Sequence, residues 1–230
     1  MKESYIRFMA PVIPQTIEPL MRIIDQKINQ KYERVHLMIS SPGGSVFHGL
    51  SVYNFLKGAP IEVFTYNFGS VDSIGLVIYC SGSKRFSVPH ARFLIHGVKM
   101  NFPGPTSFDE FQIHETLKSV LIDQKNIAKV IADTTGKGIE DIEKDMHDRR
   151  TLSPTEAKEY GLVHDIKSEL FPLNAEFISI GEPMQYTGPS FIQQAPQQTN
   201  FTIKSFCEGG QGIKKEDKKL RRLKASIPIL

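Results

Sequence analysis

Residues 35–80, VHLMISSPGGSVFHGLSVYNFLKGAPIEVFTYNFGSVDSIGLVIYC, decide the fold. They open on a short apolar run, 35–40, that reads as a buried strand, and SPGG then breaks it. Residues 46–56 return to a helical period, 61–66 to a strand and 73–80 to an apolar helix. Strand–helix alternation on this spacing implies a mostly parallel sheet with helices on its faces, an α/β fold. The flanks continue the pattern. Residues 5–12 alternate as a strand, 17–30 carry apolar residues at helical intervals, and 85–87 and 92–95 are short strands. The longest helix is expected over 108–133, followed by a shorter one over 138–146. Ser153-Pro-Thr-Glu156 places a serine cap and a proline at the start of a helix over 153–160. Gly161 closes that helix, and 162–166 is the last strand.

The chain has 230 residues, of which 40% are hydrophobic and 23% charged. That is enough apolar material for one large core plus an appendage, and it excludes disorder throughout. Beyond about Pro172 the periodicity is lost in QQAPQQTN, Gly209-Gly210 and a basic run. Two parts are therefore expected: a folded domain over 1–171 and a poorly structured C-terminal extension over 172–230. From Phe201 onward eight basic residues face three acids, while the preceding 200 residues carry a net −2. The body thus offers no basic field of the kind that binds nucleic acid, and KKEDKKLRRLK is expected to be a solvated end. Cys80 and Cys207 lack metal-ligand spacing, and no cofactor motif stands out. The longest apolar run, 74–80, is too short to cross a bilayer, and the first ten residues lack the order of a signal peptide. No membrane contact is expected, and the expected location is cytoplasmic.

Three places hold the chemistry. Ser41-Pro-Gly-Gly-Ser45 lies between a buried-type strand and a helix, where adjacent glycines leave amide N–H groups unshielded. Such amides bind a phosphate or the oxyanion of an acyl transfer; without the Lys-Ser/Thr of a nucleotide loop, the phosphate option weakens. Gly69-Ser-Val-Asp-Ser-Ile-Gly75 leads into the apolar helix, and Ser73 sits at its entrance with the Ile74 amide beside it. Taken alone, Ser73 or Asp72 is as well explained as a helix cap. His96 ends the run Arg92-Phe-Leu-Ile-His96, where an imidazole at a strand end suits a general base.

The order of these pieces resembles the Clp protease proteolytic subunit. SPGG is followed by G-x-x-x-S-x-G, Lys84-Arg85-Phe86, Pro89, the strand ending at His96, and L-S-x-x-E-A-x-E-Y-G-L-V over 152–163. The resemblance covers about 5–168 and implies the spiral of ββα units shared by Clp proteases and crotonases. The long helix would then be a protruding handle through which subunits pair into a homo-oligomer, stacked rings included. It also implies a serine endopeptidase acting on peptides or unfolded proteins, with no metal or cofactor. Ser73 would be the nucleophile and His96 the base. The amides of Gly43 or Gly44 and of Ile74 would form the oxyanion hole.

Two departures stand out. The family's triad aspartate lies four residues before the serine of L-S-x-x-E-A, where this chain has Arg149. Asp148 is adjacent and becomes the expected third member if the segment 146–152 is a loop that absorbs a one-residue slip; Asp145 lies one turn earlier. An ATP-driven AAA+ unfoldase is the partner the resemblance implies, although the segment that forms axial loops in that family is not matched ahead of residue 5. Two rival readings keep the scaffold: an inactive ring subunit, supported by Arg149, and a crotonase-type acyl-CoA enzyme. An active-serine probe separates the first from the hydrolase, and acyl-CoA binding would favour the second.

Overall fold

The computed structural model of this protein describes residues 2–100, 104 and 107–181. Strand β1 (Glu3–Met9) leads into helix α1 (Pro14–Asn29), β2 (Arg34–Ser41), α2 (Val46–Gly58), β3 (Glu62–Asp72) and the short helix α3 (Ile74–Tyr79). Two short strands follow, β4 (Lys84–Ser87) and β5 (Arg92–Leu94), then α4 (Glu110–Thr135) and α5 (Ile139–Asp148). The last elements are β6 (Thr151–Leu152), α6 (Pro154–Glu159), β7 (Asp165–Ile166) and β8 (Phe177–Ile180). The sheet runs β6-β5-β3-β2-β1-β8, with β4 on β3 and β7 on β4. Every pairing is parallel except β5 with β6. The α/β class expected from the alternation is the one observed.

Covering both faces of a parallel sheet requires strands that are apolar on both sides, and β2 is buried at six of its eight positions. The long β3 divides its partners: 64–67 lie beside β4 and 70–72 beside β5. An irregularity opposite Ile39 and Ser41 in β2 accompanies the change. The far end of β3 is thereby carried towards β5, and the corner at Ser73 emerges there. The helix-start signal read at Ser153 holds, and the structure adds a second at Asp109. Asp109 and Gln112 form a capping box on α4, and Ser153 and Glu156 form one on α6.

Helix α4 begins two residues later than expected and ends at Gly136, in the left-handed conformation. Its buried residues are Ile127, Ala128, Val130, Ile131 and Ala132, all in its C-terminal part. Phe111, Ile113, Leu117, Leu121 and Ile122 are exposed, so the N-terminal half stands off the body with an apolar surface. The domain edge drawn at 172 requires correction. Segment β8 lies beyond it and pairs in parallel with β1, Tyr5 opposite Phe177 and Phe8 opposite Ile180. A four-residue strand of mixed exposure has too little periodicity to be read from sequence. The rest of the extension, with its basic end, lies outside the described residues.

Behind the main core a second cluster gathers Met38, Phe64, Tyr66 and Phe86, with Leu170 and Phe177 packed against it. His36 stands at its edge, stacked on Tyr5 at 4.4 Å. Its Nδ1 meets the Tyr66 hydroxyl at 2.8 Å and its Nε2 meets Glu3 at 3.1 Å. Burial lowers the His36 pKa, outweighing the opposing pull of Glu3. Burial, followed by the charge of Arg85, lowers that of His164, whose Nδ1 accepts the Arg85 amide at 2.9 Å. Both rings therefore take up a proton more readily in the unfolded chain. Their contribution to stability is complete above the unfolded histidine value of about 6.5 and is lost as pH falls through it towards the folded values. Thermal unfolding midpoints should drop between pH 7 and 5.5, with a shallower drop in His36→Asn. A wild-type midpoint that stays flat over that interval would contradict this assignment.

Candidate active site

Strand β3 ends at Asp72 and α3 begins at Ile74, so Ser73 alone makes the corner. Its backbone sits at φ 57° and ψ −130°. A side-chain-bearing residue rarely occupies this region, at a cost of roughly 1–3 kcal/mol that the surroundings must offset. Serine hydroxyls at helix starts ordinarily cap, but that of Ser73 makes no capping bond. The corner is fixed by the main chain instead: the Ser73 amide donates to the Leu94 carbonyl at 2.9 Å. A sharp strand-to-helix turn that lifts a serine hydroxyl out of its helix is the geometry nucleophilic serines use.

Gly43 lies directly against this corner. A Cβ placed on it would fall 2.7 Å from the Ser73 Cβ and 2.9 Å from the Asp72 carbonyl oxygen. Gly43 has φ 89°, and Gly44 is at 149° with its own missing Cβ 2.3 Å from the Val12 carbonyl oxygen. Val12 holds the glycine turn from both sides, donating to the Gly43 carbonyl and accepting from the Ser45 amide, each at 2.8 Å. The Gly43 amide donates to Ser41 Oγ at 3.2 Å. Glycine at 43 is thus required twice, by conformation and by the closeness of Ser73.

Sequence reading weighed Asp72 only as a helix cap. Its carboxylate is buried and accepts from Ser70 Oγ at 2.7 Å and from Arg92 at 2.8 Å. Because Ser70 pairs with Arg92 and Asp72 with Leu94, this ion pair spans β3 and β5 just before Ser73 and His96. Nothing in the spacing signalled it, since the partners are joined by a strand pairing the sequence does not display.

Residue His96 follows β5 and is half-buried. Its Nδ1 lies 2.7 Å from the Gly97 carbonyl oxygen. A carbonyl only accepts, so Nδ1 carries the proton in this bond, and in the neutral ring Nε2 then holds the lone pair. Ser73 and His96 stand at the ends of paired strands, and no direct hydrogen bond joins their side chains.

The expected third member is not brought to His96. Helix α5 runs through Asp148, so the loop expected over 146–152 is absent and no slack remains to shift the register. Asp148 accepts from His147 Nδ1 at 3.1 Å, and its side chain is 55% exposed. Arg149 reverses the chain at φ 57°, and Asp145 is engaged by Arg150 and Tyr160. Among the described residues no group of three or more metal-ligating side chains gathers. Cys80 is buried, and burial pushes its thiol up to about 11. No helix among the described residues is long and apolar enough to cross a membrane.

Comparison with known proteins extends this geometry. The Clp protease family profile matches residues 2–169. The ATP-dependent Clp protease proteolytic subunit 2 of Corynebacterium diphtheriae is 34% identical over 143 residues, 61% of this chain and 70% of that protein. Subunit 1 of Corynebacterium jeikeium is 33% identical over 134 residues, 57% of this chain and 69% of that protein. Among solved structures, a ClpP1 mutant from Listeria monocytogenes superposes with a TM-score of 0.64 at 26% identity, covering 72% of this chain and 91% of that one.

If the glycine turn and the serine corner are one packed unit, Gly43→Ala should disturb both. Strain at a positive φ plus the overlap with Ser73 should lower stability by about 1–3 kcal/mol, read by thermal unfolding. A variant as stable as wild type would show that the contact is not made.

Proposed function

The chain belongs to the Clp protease family, and from that premise we propose that it is a serine endopeptidase acting on peptides or unfolded proteins through Ser73 and His96. The observation that carries this reading is the strained Ser73 corner, whose hydroxyl caps nothing and whose backbone lies against Gly43. In the reaction the Ser73 oxygen attacks the scissile carbonyl carbon while its proton passes to His96 Nε2. The oxyanion is taken up by backbone amides at Ile74 and at the Gly43–Gly44 turn. Collapse breaks the C–N bond, and the amine leaves with the proton held by His96. Water, activated by the same nitrogen, then attacks the ester and returns Ser73 to its free state. In this reading the Gly97 carbonyl, rather than Asp148, keeps the imidazole in the tautomer that the first step needs.

Fluorophosphonate labelling together with turnover of a fluorogenic peptide tests the assignment. Ser73→Ala should lose both with its fold unchanged, whereas Asp148→Asn should stay within a few-fold of wild type. Hydrolysis by Ser73→Ala at the wild-type rate would remove the nucleophile from the scheme. A loss near the 10⁴-fold of the trypsin precedent in Asp148→Asn would restore that residue as the orienting acid.

The second element of the proposal is a homo-oligomer joined through α4. Five large apolar residues exposed along half of one helix exceed what a monomer usually leaves in water. A second copy of the helix is the occupant implied by self-association in closed symmetry. Leu117, 53% exposed, lies midway along this surface. Leu117→Glu should shift the protein to smaller species in native mass measurements. A wild type that is monomeric at micromolar concentration would exclude the arrangement.

A further inference from the structure

Residue His96 is held by its neighbours rather than by a side chain of its own choosing. The Ile95 amide donates to the Arg150 carbonyl at 2.8 Å, and the Gly97 amide donates to the Met146 carbonyl at 3.0 Å. The two amides flanking the imidazole are therefore anchored to the two ends of one turn, 146–150. Upstream, β5 is tied to the same segment by the pairing of Phe93 with Leu152 and Leu94 with Thr151. Wherever that turn moves, His96 moves with it.

Three side chains close the turn. Arg150 donates from one guanidinium nitrogen to both carboxylate oxygens of Asp145, at 3.0 and 3.2 Å, and its amide donates to the Asp145 carbonyl at 3.1 Å. Tyr160, at the end of α6, donates its hydroxyl to Asp145 Oδ2 at 2.5 Å. The Arg150 guanidinium also lies over the Tyr160 ring at 5.1 Å. Tyr160 is 5% exposed and the Asp145 side chain 15%, so the carboxylate has little water to turn to if a partner is lost. Between them Arg149 takes the left-handed conformation, a reversal that needs both ends pinned.

We propose that Asp145, Arg150 and Tyr160 form a clamp that positions His96 for catalysis by fixing the two carbonyls that hold the amides on either side of it. These are positioning residues; none of them touches the reacting atoms. The inference rests on the hydrolase reading above and deepens it. It supplies a mechanical substitute for the carboxylate missing at 149: the backbone around the base is restrained, where a triad would restrain the ring. It also gives chemistry-related work to the E-Y-G motif of 159–161, which holds no reactive group. A displacement of the base of about 1 Å costs on the order of 10²-fold in rate.

The test uses the full chain with wild type, Asp145→Asn, Tyr160→Phe, Arg150→Lys and Ser73→Ala. Fluorophosphonate labelling rates are measured from pH 5.5 to 8.5, kcat and KM on one peptide, and amide hydrogen exchange on the segment containing 95–97. Tyr160→Phe removes a single oxygen and keeps the ring, so it remains informative should Asp145→Asn fail to fold. Expected in Tyr160→Phe and Asp145→Asn is faster exchange at 95–97. Labelling and kcat should fall about 10- to 100-fold, with KM within three-fold and a displaced pH profile. Arg150→Lys should lie between these and wild type, since an ammonium keeps the charge but not the fork. Variants that lose only thermal stability, with exchange at 95–97, labelling rate and pH profile unchanged, would overturn the clamp. A wild type that shows no Ser73-dependent labelling would instead sink the hydrolase reading and, with it, the role given to the clamp.

Discussion

The contact between Gly43 and the Ser73 corner is the constraint on which the proposed site depends. Two segments meet there, the turn after β2 and the junction of β3 with α3, and neither tolerates a change in the other. Ser73 reaches its positive φ only because its amide is held by Leu94 and its flank is free of a side chain at 43. Gly43 in turn is held by Val12, at the end of the chain's first strand region. Four stretches far apart in sequence thus fix one corner. Strain of a few kcal/mol at Ser73 persists because release would require breaking the strand pairings that lead to it.

Much of this was legible in the sequence, because it is written in local chemistry. The alternation of strands and helices, the serine cap at Ser153 and the order of SPGG, Ser73 and His96 are all short-range signals. What escaped was set by pairing across the fold. The Asp72–Arg92 bond joins residues twenty apart through adjacent strands, and the Asp145–Tyr160 bond joins two helices. Strand β8 escaped because β1 supplies the edge that makes four residues into a strand. The expectation for Asp148 rested on a helix end placed two residues too early. That error turned the last turn of α5 into a loop with freedom it does not have.

The missing carboxylate also sets the electrostatics of the proposed base. In a triad the acid does two things: it selects the tautomer and it stabilises the imidazolium that forms on attack. A backbone carbonyl does the first, because only a protonated Nδ1 can donate to it, but offers a dipole where the acid offers a full charge. Arg149, exposed to solvent in the left-handed conformation, brings no acid in its place. In the proposed reading the tautomer penalty of losing a triad acid is therefore avoided and the charge penalty remains.

That division says where the remaining rate must come from. With no carboxylate bonded to the imidazole among the described residues, transition-state stabilisation in the proposed reaction falls more heavily on the oxyanion side and on placement of the reacting groups. Placement is what the corner and the segment 146–150 supply, and both are rigid for the same reason: each is tied by main-chain bonds to a second element rather than held by its own helix or strand. The Gly43 amide already donates to Ser41 Oγ at 3.2 Å, long for such a bond, so an oxyanion would compete with a weak partner. A site built this way depends on backbone geometry rather than on charge. Its activity should then respond to substitutions at small and turn-forming positions more than to those at ionisable ones.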